Sequence, residues 1–399
     1  MSNRDLSYWQ QQAESLAIEN RAFINGEYVN AKANASFECK SPIDGRLLAQ
    51  VASCQEEDAD QAVDVARNAF NSGSWSKAAP AARKATMLKF ADLIEQHREE
   101  LALLETLDMG KPIADSLGVD VAATLRALRW SAEAIDKIYD EIAPTPDNEL
   151  GMVTREPVGV VAAIVPWNFP MLMASWKLGP ALAAGNSVVL KPSEKSPLTA
   201  IRLAALAKEA GLPDGVFNVL PGYGHTVGKA LALHHDVDTL VFTGSTAIAK
   251  QLMVYAGESN MKRVWTEAGG KSPNIVFADA PCLDSAAKAA ASAICFNQGE
   301  VCTAGSRLLV EAGIKEEFVA KVVEAVHAWQ PGNPLDPNTN VGAIVDRPQF
   351  ERVLGYINRG QEQGARSICG GGSVEPVKDG YYIQPAVFDK VDNKMDIAS

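Results

Sequence analysis

From residue 158 onward the chain alternates between two textures. Apolar runs at 158–165, 187–190, 216–219 and 239–242 read as buried strands, and the stretches 170–182, 198–210, 227–233 and 248–255 carry helical periodicity. Strands alternating with helices of this length form βαβ units, which fit a parallel sheet covered by helices on both faces. The expected fold class is therefore α/β, with a doubly wound, Rossmann-like nucleotide-binding sheet. Such sheets bind ligands beyond the carboxyl ends of their strands, so residues just after each apolar run are the first candidates for function. A second alternating stretch opens at 273–277 and runs to the end of the chain. Upstream, residues 56–139 are helical in pattern, with long alanine- and leucine-rich stretches at 79–106 and 120–138 broken at Gly110-Lys111-Pro112. Residues 142–154, with Pro144 and Pro146, turn extended.

A chain of 399 residues, 47% of them hydrophobic, can bury more than one substantial core. Its formal net charge of -12 would be repelled by nucleic acid and by anionic membranes, which leaves small-molecule chemistry as the expectation. The cysteines at Cys39, Cys54, Cys282, Cys295, Cys302 and Cys369 form no CxxC pair and no zinc-like cluster. No metal site is expected, and the thiols read as free in a reducing compartment. Residues 1–18 lack a basic-then-apolar signal pattern, and the longest apolar run, 158–165, is too short to span a bilayer. A cytoplasmic location is expected.

Two segments offer reactive groups. Cys302 lies in Phe296-Asn297-Gln298-Gly299-Glu300-Val301-Cys302-Thr303-Ala304-Gly305-Ser306-Arg307. A lone cysteine is commonly a small buried hydrophobe, but small, polar, glycine-bounded surroundings suit a thiol that a substrate must approach. Glu267 opens Glu267-Ala268-Gly269-Gly270-Lys271-Ser272-Pro273 and offers a carboxylate base. None of His97, His225, His234, His235 and His327 lies in such a motif, so a cysteine–histidine hydrolase has little support. Three further motifs follow strands. Phe242-Thr243-Gly244-Ser245-Thr246 leads into a helix whose N–H groups and dipole can face a phosphate, although an ordinary turn reads the same. Lys191-Pro192-Ser193-Glu194 is either a cation and carboxylate facing a ligand or a solvated pair. Pro166-Trp167-Asn168-Phe169-Pro170 holds either an amide donor for an oxyanion or a turn-forming asparagine.

Together these motifs resemble those of the NAD(P)-dependent aldehyde dehydrogenase superfamily, from Phe23-Ile24-Asn25-Gly26-Glu27-Tyr28 onward. The resemblance implies an NAD-binding domain of residues 1–140 and 158–267 and a bridging hairpin at 141–157 through which subunits pair into a homodimer or homotetramer. It also implies a catalytic domain over 268–399, incomplete at Ser399, with a Glu-Glu-Ile-Phe-Gly-Pro motif and an intersubunit strand expected beyond it. The chemistry implied is addition of Cys302 to an aldehyde, hydride transfer to NAD, and hydrolysis of the thioester by water that Glu267 activates. Asn168 would serve the oxyanion, and Lys177, in Trp176-Lys177-Leu178-Gly179-Pro180, would support the site structurally or in proton relay. The cofactor residues implied are Ile164, Pro166, Trp167, Lys191, Ser193, Glu194, Gly224, Gly228, Gly244, Ser245, Ala268, Gly269 and Gln349. Lys191 and Glu194 match residues that hold the adenosine ribose, and a carboxylate there repels a 2′-phosphate, which favours NAD over NADP. The family pattern has a second glycine where this chain has Ala249.

Within the superfamily, Leu16-Ala17-Ile18-Glu19-Asn20-Arg21, Trp130-Ser131-Ala132-Glu133-Ala134-Ile135-Asp136-Lys137 and the stretch 254–263 most resemble the bacterial γ-glutamyl-γ-aminobutyraldehyde and 4-guanidinobutyraldehyde dehydrogenases. By position the aldehyde pocket comprises Val119, Ala123, Phe169, Met173, Trp176, Phe296, Val301 and Thr303, an apolar and aromatic tunnel suited to an alkyl chain. Asp120 reads equally as a group for a cationic tail or as a helix cap. The competing readings are a broad-specificity aldehyde dehydrogenase and a catalytically silent binding or structural homologue. An acylating enzyme that passes the thioester to coenzyme A is disfavoured by Glu267.

Overall fold

The computed structural model describes residues 4–398. Helix α1 (Leu6–Ser15) starts at Asp5, whose carboxylate accepts the Tyr8 N–H at 3.0 Å, and it buries Trp9. Strands β1 (Ala22–Ile24) and β2 (Glu27–Val29) form one antiparallel pair, and β3 (Ser36–Lys40) and β4 (Leu47–Ala52) another. The helices α2 (Glu56–Ser72), α3 (Pro80–Gln96), α4 (Arg98–Met109) and the short α5 (Ile113–Asp115) follow, then a π-helical turn at Ser116–Val121 and α6 (Ala122–Ala134). The helical stretch at 79–106 is therefore built from two helices, α3 and α4. His97, at φ -96° and ψ 19°, ends α3 and starts α4 with no proline or glycine to announce the break. The hairpin expected at 142–154 is present as β5 (Glu141–Ala143) and β6 (Gly151–Val153), with Ile142 and Met152 exposed.

The alternating region then follows as β7 (Val160–Ile164), α7 (Pro170–Ala183), β8 (Ser187–Lys191), α8 (Leu198–Ala210), β9 (Phe217–Val219), α9 (Lys229–Leu233), β10 (Thr239–Gly244), α10 (Thr246–Glu258) and β11 (Arg263–Ala268). These strands build a seven-stranded sheet in the order β11-β10-β7-β8-β9-β1-β2. The five from β11 to β9 run parallel, and β1 and β2 extend the edge antiparallel. Central β7 and β8 are buried along their whole length, the reason each reads as an unbroken apolar run. Their side chains alternate between two cores. Val161, Ala163, Val188 and Leu190 pack with Met87, Phe90, Leu125 and Leu128 from α3 and α6. Val160, Ala162, Ile164 and Val189 pack with Ala62, Val63, Leu231 and Leu252 from α2, α9 and α10. Each such Val or Leu contributes roughly 1.5–3 kcal/mol relative to exposure.

From β7 the chain builds outward through β8 and β9, then returns to the other side of β7 for β10 and β11. The strand order thus reverses between β7 and β10, where the carboxyl ends of a doubly wound sheet open a crevice. After β11 comes a second unit: β12 (Pro273–Val276) pairs parallel with β13 (Arg307–Val310), and α11 (Leu283–Cys295) and α12 (Lys315–His327) enclose a third core around Phe318 and Val322. Helix α13 (Arg347–Glu362) follows in the chain. Among the described residues no helix is long and apolar enough to cross a membrane.

Candidate active site

The crevice between β7 and β10 widens into a cleft of about 1120 Å³. Ile164 closes β7 and Gly244 closes β10. Ser245 caps α10, its hydroxyl accepting the Ile248 N–H at 3.3 Å, so the positive end of that helix meets the cleft. At Gly244 a Cβ would fall 2.4 Å from the Phe242 ring, so only glycine fits. Ala249 points elsewhere: its methyl is buried in the core under the sheet, and the missing second glycine puts nothing into the cleft.

Lys191, at the end of β8, is 3% exposed, and its Nζ lies 3.2 Å from Glu194 Oε2. This is no solvated pair. Burial pulls the Lys191 pKa below its ordinary value, and the Glu194 charge opposes that. Trp167 is held from two sides. Its carbonyl accepts the Ser196 hydroxyl at 3.0 Å, and the Lys195 ammonium lies 5.4 Å from its ring centroid while pairing with Asp346 at 2.7 Å. Asp346 also caps α13 by accepting the Gln349 N–H, which brings Gln349 to the far wall. Every residue that the resemblance assigns to the cofactor lines this one cleft. At Gly224, Gly269 and Gly270 no atom lies within 4 Å of where a Cβ would stand, leaving open space along the cleft for a backbone-hugging ligand. Its volume also exceeds the roughly 300–1,000 Å³ of ordinary ligand pockets. The residues present fit an extended dinucleotide.

Cys302 and Asn168 line the same cleft from opposite elements. Asn168, on the loop between β7 and α7, donates its Nδ2 to the Glu300 carbonyl at 2.7 Å, two residues before Cys302. An amide has two N–H groups, so one is pinned and one is left for a ligand. Cys302 is partly accessible, whereas burial pushes up the thiols of Cys39, Cys54 and Cys295, the last to about 12. That contrast separates the candidate nucleophile from packed thiols. Glu267 stands on exposed β11 and does not itself line the cleft, although Ala268 beside it does. Lys177, half-buried on α7, has its pKa pulled down by burial and partly restored by the Glu267 charge, so the two are electrostatic neighbours.

Of the expected aldehyde pocket, Phe169, Met173 and Val301 line the cleft, and Ala123 and Phe296 pack on the same apolar cluster. The Phe169 and Phe296 rings lie 6.1 Å apart at 31°. Val119, Trp176 and Thr303 lie outside the lining, with Trp176 50% exposed. Asp120 is neither a helix cap nor available to a cationic tail. It is fully buried inside the π-helical turn, and its Oδ1 accepts Lys111 Nζ at 2.6 Å. Glu105 completes this cluster, 3.7 Å from Lys111, with its other oxygen accepting the Met171 N–H at 3.3 Å. Burial, then the Asp120 charge, raises the Glu105 pKa well above the carboxylate range. The Lys111 ammonium also sits 4.2 Å from the Phe169 ring centroid, buttressing the loop that carries Asn168.

Sequence reasoning missed Lys111, Glu105, Asn297, Gln298 and Glu300. Lys111 sits in a Gly-Lys-Pro break that reads as an exposed loop and Glu105 in a plain helical stretch; a signal was available for Asn297, Gln298 and Glu300, all within the cysteine motif itself. Among the described residues no cluster of three or more His, Cys, Asp or Glu could hold a metal.

A model described as the aldehyde dehydrogenase family matches residues 28–399. The NADP/NAD-dependent aldehyde dehydrogenase PuuC of Escherichia coli (strain K12) is 58% identical over 370 residues, 93% of this chain and 75% of PuuC. The structure of P. syringae AldA indole-3-acetaldehyde dehydrogenase, a cysteine-to-alanine mutant in complex with NAD+ and IAA, is 68% identical with a TM-score of 0.98, covering 99% of this chain and 80% of that one. The γ-glutamyl-γ-aminobutyraldehyde dehydrogenase of Burkholderia cenocepacia J2315 is 58% identical with a TM-score of 0.97, covering 99% and 79%.

Proposed function

The chain belongs to the aldehyde dehydrogenase family, and within it we propose an NAD-dependent enzyme that oxidises ω-amino, ω-guanidino or γ-glutamylamino aldehydes of about four carbons, a pocket-scale estimate, to carboxylates. One observation carries the mechanistic reading: Cys302 and Asn168 line one cleft at the strand-order reversal, with the Asn168 amide fixed on the Glu300 carbonyl. The Cys302 sulfur adds to the aldehyde carbon, and the carbonyl oxygen gains a negative charge. The free Asn168 N–H and the Cys302 backbone N–H receive it. NAD, when bound, supplies the acceptor for the hydride that the tetrahedral carbon expels. A thioester on Cys302 remains. Glu267 takes a proton from water, the hydroxide attacks the thioester, and the acid leaves as the thiolate returns. Lys177 holds the carboxylate of Glu267 by charge until it turns toward the cleft, where the open space at Gly269 and Gly270 receives it.

For the cofactor, Glu194 beside buried Lys191 supports NAD. The Michaelis constant for NADP is expected to exceed that for NAD by about tenfold or more, since each 1.4 kcal/mol of repulsion is tenfold. Glu194→Gln is expected to narrow the gap; a wild-type protein that uses both equally would remove the ribose contact from Glu194. The exposed apolar side chains of the β5–β6 hairpin, Ile142 and Met152, support pairing between subunits.

The substrate reading draws on the Burkholderia relative and on the apolar side chains of Phe169, Met173 and Val301 that line the cleft. The P. syringae relative, together with the Phe169–Phe296 pair, supports a second reading, an arylacetaldehyde. A competition assay separates them. Two methylenes beyond acetaldehyde, buried at ~0.8 kcal/mol each, are worth roughly 15-fold in kcat/KM. That preference for 4-guanidinobutyraldehyde or γ-glutamyl-γ-aminobutyraldehyde over acetaldehyde is expected, with either also preferred to benzaldehyde. The highest kcat/KM on indole-3-acetaldehyde would favour the second reading, and on acetaldehyde or benzaldehyde a broad-specificity enzyme.

A further inference from the structure

The segment between α11 and Cys302 runs through three successive residues in the left-handed region: Asn297 at φ 48°, Gln298 at φ 57° and Gly299 at φ 77°. Two consecutive non-glycine residues there are uncommon and strained, and such strain persists only where the surroundings hold it. Here side chains hold it. Gln298 Oε1 accepts the Gly342 N–H at 3.1 Å, and Glu300 Oε1 accepts the Val345 N–H at 3.4 Å. Asn297 is fully buried, and its Nδ2 lies 3.2 Å from the Asn168 carbonyl and 3.2 Å from the Glu300 carbonyl. Both partners are acceptors only, which fixes that atom as the amide nitrogen. The Glu300 carbonyl is also the acceptor that orients Asn168 Nδ2. One buried amide therefore ties the loop bearing the oxyanion donor to the loop bearing the nucleophile.

We propose that Asn297 is a positioning residue that acts through Asn168, setting the distance and angle between the Asn168 amide and Cys302. It touches neither aldehyde nor cofactor, and it is not among the residues lining the cleft. Its two hydrogen bonds fix where the second N–H of Asn168 points, and a donor displaced by about 1 Å loses on the order of 10²-fold in rate. This inference rests on the reading of Asn168 as oxyanion donor.

The test is a double-mutant cycle read as single-turnover NADH formation. Asn168→Ala is expected to slow hydride transfer by about 10²–10³-fold. Asn297→Gly, which keeps the left-handed backbone and removes the amide, is expected to slow it by about 10–10²-fold with NAD affinity unchanged. The double variant is expected to be no slower than Asn168→Ala alone, because a positioning group has nothing left to position. Losses that multiply in the double variant would overturn the inference while leaving the Asn168 reading intact. An Asn168→Ala protein as fast as the wild type would overturn both. Should Asn297→Gly fail to fold, Asn297→Asp, near-isosteric and tolerant of the left-handed region, is judged by the same cycle.

Discussion

Replacement of Cys302 by alanine is expected to lower aldehyde-dependent NADH formation by about 10⁴-fold or more, the scale of deleting the nucleophile from a covalent mechanism. NAD affinity is expected to stay within about twofold, because the phosphate-facing turn at Gly244 and Ser245 lies on a different element. Stability should change little as well. Cys302 is partly accessible, and the apolar contacts that hold its segment belong to Phe296 and Val301. Steady-state turnover with equilibrium binding of NAD checks both halves. Retained turnover would place the nucleophile elsewhere, and lost NAD binding would mean that the variant damages the fold.

Glu267→Gln is expected to split the reaction in time. Addition of Cys302 and hydride transfer precede any need for an activated water, so the first turnover should release a burst of about one NADH per site. The following steady rate should fall by about 10²–10⁴-fold, the usual contribution of a general base. Stopped-flow absorbance separates the phases. Burst and steady rate falling together would assign Glu267 to an earlier step. The position of Glu267 on exposed β11, beside Lys177 and outside the cleft lining, makes this prediction demanding, because the carboxylate must turn inward to act.

The central sheet was legible because burial writes itself into the sequence. Val160–Ile164 and Ser187–Lys191 are buried on both faces and so appear as unbroken apolar runs. Edge elements leave no such trace. Strand β11 mixes Arg263, Trp265 and Glu267 along a largely exposed edge, and β1 and β2 are three residues each, so none of them was anticipated. The break at His97 has no punctuating residue, so the helical texture of 79–106 runs through it unmarked. In the cleft, residues that end strands could be placed from the alternation and the resemblance, since a parallel sheet sends strand ends to one side. Partners fixed by tertiary packing could not be. Lys111 meets Asp120 inside the π-helical turn Ser116–Val121, a local geometry that no residue pattern announces, and Asn297 reaches Asn168 across 129 residues of chain.

The central claim, that an acyl group derived from the aldehyde is carried on Cys302, is tested most directly by stopping the Glu267→Gln protein during its burst and measuring its mass. The expected result is one equivalent of added mass equal to the acyl group of the aldehyde supplied, located on the peptide containing Cys302 and removed by hydroxylamine. A burst of NADH with no adduct, or an adduct on another residue such as Cys295, which shares the cleft, would contradict the account.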